Sequence, residues 1–229
     1  MSDLYNIGLP KWPALVVVGD NVTKDQAAEI LVRTQQWMPF SNDRQWTAEI
    51  RLAFDMPEAD MRAEYAERRA QYDREYAFAK SIGCLGLEYL TNNQIASSWI
   101  GGPHGWCDWS GNIGCHNYNI GKWPSVETVH KEWIAIAEAF PYLTLRSQLF
   151  SEESGGDEDG RPGVPLVEFF VAEGKAAVVE PGPAMKAPVF DMNGAVSVMM
   201  VPPSFRERGC TIEQLKRGVE LARKRVANV

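Results

Sequence analysis

His104, Cys107, Cys115 and His116 fall within thirteen residues, so two of the three histidines and two of the four cysteines share one short stretch. Thiolates and imidazoles are zinc-binding side chains, and four of them can close a tetrahedral site. The spacing argues against one. Adjacent Cys115 and His116 point to opposite sides of an extended chain, whereas structural zinc sites separate paired ligands by two to four residues. No metal and no cofactor are therefore expected. A Cys/His nucleophile pair is weaker still, because no third group that would orient a base is legible. The GxxxxGK[ST], GxSxG and HExxH patterns are absent, and the glycines around Gly101 and Gly102 do not form a dinucleotide fingerprint.

The segment holding these residues is itself unusual. Between Tyr89 and Gly121 the only formal charge is Asp108, where an average composition would place about seven or eight. The same stretch carries Trp99, Trp106 and Trp109, six glycines, and asparagines at 92, 93, 112, 117 and 119, with Trp123 just beyond. Indoles offer flat apolar faces, carboxamides offer directional hydrogen bonds, and glycine allows close backbone approach. Two readings follow. The segment is an uncharged recognition surface, with Trp99, Trp106, Trp109 and Trp123 as stacking faces, Asn112 and Asn117 as hydrogen-bonding groups beside His104 and His116, and Asp108 as its fixed charge. Alternatively, it is a convoluted connection whose tryptophans plug the core.

Elements that would position this segment are legible on both sides. Ala14 to Val18 is an apolar, β-branched run, and Thr23 with Gln26 forms a capping box that opens a helix to about Thr34. Glu58 to Ile82 places Met61, Tyr65, Tyr72, Tyr76 and Ala79 on one helical stripe between Pro57 and Gly83. Ser125 caps a further helix, with Val126, Val129, Trp133, Ile136 and Phe140 at helical spacing before Pro141. Leu143, Leu145, Ser147 and Leu149 alternate with Thr144, Arg146, Gln148 and Phe150, which predicts a strand with one buried face. Leu166 to Ala172 and Ala176 to Val179 predict a hairpin turning at Glu173-Gly174-Lys175, whereas Ser151 to Gly163 is acidic and glycine-rich and predicts a solvated loop. Pro181 to Pro188 reads as a linker and Ala195 to Val201 as a strand, and Thr211 with Gln214 opens a closing helix.

These elements lack a regular alternation of strand and helix, so the expected class is α+β with a mainly antiparallel sheet. The 229 residues are expected to form one domain: an N-terminal strand-helix and long helix over 1–86, a central part over 87–180, and a C-terminal strand and helix over 181–229. A net charge of −7 disfavours nucleic-acid backbones and anionic membranes as partners. With no long apolar span and no cleavable leader pattern, the sequence predicts a soluble, cytoplasmic protein with reduced cysteines.

Several short motifs then align in order: Gly105-Trp-Cys-Asp-Trp109, Asn112-Ile-Gly114, Trp123-Pro124, the helix end Ala139-Phe-Pro141, and the strand pair from Leu143. This arrangement resembles uncharacterised phage- and plasmid-borne proteins with a YubB-type ferredoxin-like domain, over about Leu87 to Val179. Ile113 stands where that pattern has tryptophan, Cys115-His116 where it has Thr-Lys, and Pro124 is single where it has two prolines. The resemblance implies a βαββαβ fold and a mobile-element origin, and supplies no activity or catalytic residue. The leading expectation is therefore a phage-encoded accessory protein that binds a host protein or a small ligand, with a counter-defence role in view. The competing expectation is a small hydrolase or nucleotide-processing enzyme with His104 or His116 as general base, assisted by a metal.

Overall fold

The computed structural model describes residues 15–34, 73–74, 76–85, 106–117, 125–150, 163–186 and 210–229. Its centre is a five-stranded, wholly antiparallel sheet in the order β2-β1-β3-β4-β5. The strands are β1 (Leu15–Gly19), β2 (Gly114–Asn117), β3 (Leu145–Phe150), β4 (Pro165–Ala172) and β5 (Lys175–Val179). Around it lie α1 (Lys24–Arg33), a helical segment α2 over 76–81, α3 (Val126–Ala139) and α4 (Ile212–Ala227). The class is α+β, as expected. The described order, β1-α1-α2-β2-α3-β3-β4-β5-α4, does not spell the βαββαβ sequence that the motif resemblance implies.

Local chemistry sets the helix ends where the sequence places them. Thr23 and Thr211 each accept from the backbone of the residue three ahead, and Gln26 and Gln214 reach back to complete both capping boxes. Ser125 caps α3 alone through the Thr128 amide. Gly83, at φ +57, sits just beyond α2 in the left-handed region that a side chain resists. Glu173 and Gly174 both have positive φ, which gives the β4–β5 hairpin its two-residue primed turn.

The helices occupy one face of the sheet. Leu15, Val17, Leu145, Leu149, Phe169 and Val171 join Ile30, Ile82, Trp133, Ile136 and Leu215 in one core. The α1–α4 seam is unusually close, because Gly218 lies against the Ala28 carbonyl.

The opposite face corrects two expectations. β3 is buried on both sides, since Gln148 and Phe150 are as enclosed as Leu145 and Leu149. The cause is the stretch after β5, which composition marks as a linker. Its described part, 181–186, instead crosses the outer face, where Ala184 and Met185 pack on Val16, Val18 and Phe150. The expected strand Ala195 to Val201, the N-terminal part of the long helix and nearly all of the acidic loop lie outside the described residues.

Candidate functional site

The segment richest in chemical side chains folds into a tight hairpin over 106–114. Cys107 and Ile113 bridge its arms, the Gly114 amide donates to the Trp106 carbonyl at 2.9 Å, and the Asp108 amide donates to the Asn112 carbonyl at 3.1 Å. Asp108 organises the turn. One carboxylate oxygen accepts from the Ser110 and Asn112 amides at 2.8 and 3.0 Å, and the other accepts from the Asn112 carboxamide at 2.7 Å. These bonds are those of an aspartate that shapes its own backbone.

The turn then docks on the helices. The Val22 amide donates to the Gly111 carbonyl at 2.8 Å, and the Gln214 carboxamide donates to the Trp109 carbonyl at 3.3 Å. A Cβ at Gly111, where φ is +93, would fall 2.0 Å from the Val22 carbonyl oxygen. Only glycine fits there.

This arrangement corrects the picture of an indole-lined recognition surface. Trp106 is fully enclosed and meets Trp133 edge-to-face with ring centroids 5.7 Å apart, and Trp109 is 3% exposed. Both rings are core. The reason lies in side-chain economics: a segment poor in charge meets no penalty when tucked under helices, and two indoles bury much apolar area. Asn112 and Asp108 are spent on each other. His116 and Asn117 take the β2 register positions opposite Val16 and Leu15. Trp99, His104 and Trp123 lie outside the described residues.

The cysteines are equally committed to packing. Burial pushes the Cys115 thiol up to about 12, and burial together with the neighbouring Asp108 charge pushes Cys107 higher still. Thiols shifted this way are poor nucleophiles at neutral pH. Among the described residues, no three His, Cys, Asp or Glu side chains are placed to share a metal ion.

Two other polar clusters were not legible in advance. On the outer face, the fully buried Glu168 receives Arg146, the Gln148 carboxamide at 2.8 Å and the Gly182 amide at 3.1 Å. Gln148 also donates to the Pro183 carbonyl at 3.1 Å and accepts from the Met185 amide at 2.8 Å. Burial alone would raise the Glu168 carboxyl, but the bonds from Gln148, Gly182 and Arg146 outweigh it and hold the group below its ordinary range. The cluster is an anchor for residues 182–185. Its one sequence signal is a single acid inside the otherwise apolar run of β4.

The second cluster lies between the helices. Buried Glu29 accepts from Arg225 at 2.8 and 3.0 Å and from Arg33 at 3.3 Å, while Arg33 also donates to the Gly83 carbonyl at 3.0 Å. It ties α1, α4 and the end of α2 together. Desolvation lowers the Arg33 guanidinium from its usual value, although Glu29 opposes the shift. The nearby Tyr142 hydroxyl is buried without a partner among the described residues, and burial followed by the Glu29 charge raises it.

A different kind of surface stands on the β4–β5 hairpin and its approach. Val164, Leu166, Phe170 and Val178 are between 41% and 72% exposed, and they are four of the six large hydrophobic residues exposed among the described residues. Leu166 and Phe170 flank Glu168 on the outer face, and Phe170 pairs with Ala177 of β5. Apolar groups gathered this way mark a contact surface more often than scattered ones do.

Searches of protein-family models, curated proteins and solved structures found no match to this chain.

Proposed function

We propose that this protein acts by binding a protein partner, and that the contact surface is the outer face of the β4–β5 hairpin rather than the tryptophan-rich segment. One observation carries the reading: Leu166 and Phe170 stand exposed on one face of β4, with Val164 exposed on its approach, whereas Trp106 and Trp109 are enclosed in the core. A flat apolar strip on a sheet suits a protein surface, since a small ligand is usually held in a concave pocket. A phage-borne accessory role is the setting we infer, and it is supported by the motif resemblance over about Leu87 to Val179 alone.

The test uses the full chain with a photo-crosslinking residue at position 170, expressed in cells. A dominant adduct to one protein is expected from position 170 and none from the exposed helix position 213. Leu166→Glu should abolish that adduct while leaving the circular dichroism unchanged. Equal labelling from both positions, or none from 170, would overturn the reading.

A further inference from the structure

The outer face of the hairpin also carries a pattern of charge, and the inference drawn from it rests on reading that face as a contact surface. Register places Arg146 of β3, Phe170 of β4 and Ala177 of β5 in one row across the sheet. Lys175 of β5 stands opposite Ala172, which is two residues beyond Phe170 on β4. Paired residues share a face, as do residues two apart on a strand, so Arg146 and Lys175 project on the side that shows Leu166 and Phe170. Arg146 is the direct cross-strand neighbour of Phe170, and Lys175 is a diagonal one within reach of a long side chain. The exposed ring therefore stands between two cations.

The acid on this face leaves both cations accessible. Glu168 is fully buried, whereas the Arg146 side chain that pairs with it is 53% exposed. Arg146 turns Nε and Nη2 to Glu168, and its Nη1 makes no bond among the described residues. Lys175 is exposed and forms no ion pair among the described residues. Glu173 sits in the turn and Glu180 past the end of β5, so neither holds a row on this face. A chain of net charge −7 thus shows exposed charge of the opposite sign beside its apolar strip.

We propose that the partner at this face is an acidic protein segment, which seats an aromatic or aliphatic side chain on Leu166 and Phe170 and sets carboxylates beside it against Arg146 and Lys175. Charge complementarity carries the choice. Glu168 already holds the Arg146 guanidinium, so its outward edge is oriented before a partner arrives and little freedom is lost on binding. Cations bordering an apolar contact fix the partner's register and select its sign. A nucleic-acid backbone shares that sign but brings an unbroken run of charge, which the overall −7 opposes at long range, and its phosphates leave Leu166 and Phe170 without an apolar counterpart. A short acidic segment meets both parts of the surface.

Selection of a displayed random-peptide library on the immobilised full chain tests this, keeping only peptides that the double variant Leu166→Ala, Phe170→Ala fails to capture. Those substitutions are neutral, so they do not bias the selection by charge. The retained peptides are expected to carry Asp or Glu close to an aromatic or aliphatic residue. Lys175→Glu should weaken their binding by about three- to tenfold, and raising salt from about 50 to about 500 mM should weaken it too. Lys175 is exposed, so its variant should keep the wild-type circular dichroism. An empty selection, retained peptides that are neutral or basic, or affinities indifferent to Lys175→Glu would each overturn the proposal. Displacement of the peptides by single-stranded oligothymidylate at equal concentration would overturn it in favour of a phosphate backbone. In each of those cases an adduct from position 170 in cells would leave the contact surface standing without its acidic partner, and the absence of that adduct would remove both.

Discussion

Trp106 shows how residue type and residue role separate. In sequence it belongs to a run of indoles and carboxamides suited to recognition; in the structure it is fully enclosed against Trp133. The two roles differ sharply in what truncation should cost. Trp106→Ala is expected to lower unfolding free energy by about 3–5 kcal/mol, as aromatic-to-alanine changes in cores do, read as an earlier midpoint in urea. A change within about 0.5 kcal/mol, typical of surface positions, would show that the ring is not core. Asp108 belongs to the same lesson. Its isolation as the one charge between Tyr89 and Gly121 is visible in sequence, but its three local hydrogen bonds depend on how the turn closes.

At the scale of elements, most of the described boundaries were legible. The capping boxes at Thr23 and Thr211, the Ser125 cap and the Glu173-Gly174 turn are short-range devices, each complete within four residues, and all four are present. What local pattern misses is how elements meet. Gly218 lies inside α4, where intrinsic propensity favours alanine by about 1 kcal/mol. A Cβ there would lie 2.5 Å from the Ala28 carbonyl and 2.7 Å from Val32 Cγ2. Gly218→Ala is therefore expected to lower the melting temperature despite the better helix former, because the α1–α4 seam must open. A raised melting temperature would show that the seam yields easily. The prolines and glycine of 181–186 mislead in the same way. Their composition reads as a linker, yet backbone groups of Gly182, Pro183 and Met185 satisfy Gln148 and Glu168 on the sheet.

For the molecule as a whole, the anchor at Glu168 makes stability depend on acid. Its folded carboxyl is held below the ordinary glutamate value of about 4.3. The unfolded chain therefore takes up the proton first as pH falls. The stabilisation is complete above the unfolded value and is lost as pH drops through the folded one. Glu168→Gln should lower the melting temperature at pH 7 and flatten its decline between about pH 5 and pH 3. An unchanged slope would show that the carboxylate does not anchor residues 182–185.

Local devices, namely caps, turns and the apolar stripe of α3, were settled by the amino-acid order, because each depends on residues within a few turns of each other. So were the α+β class and the antiparallel sheet, since strands without regular intervening helices have few other ways to pair. Tertiary structure alone decided which of two chemically equal uses the indoles serve. It also decided that β3 is covered on both faces at Gln148 and Phe150, and that Leu166 and Phe170 of β4 are among the apolar residues left exposed. The physical reason is that burial is a property of what arrives from elsewhere in the chain. Trp106 is sealed by Trp133 of α3, and Gln148 by Gly182 to Met185, partners that no window around either residue contains.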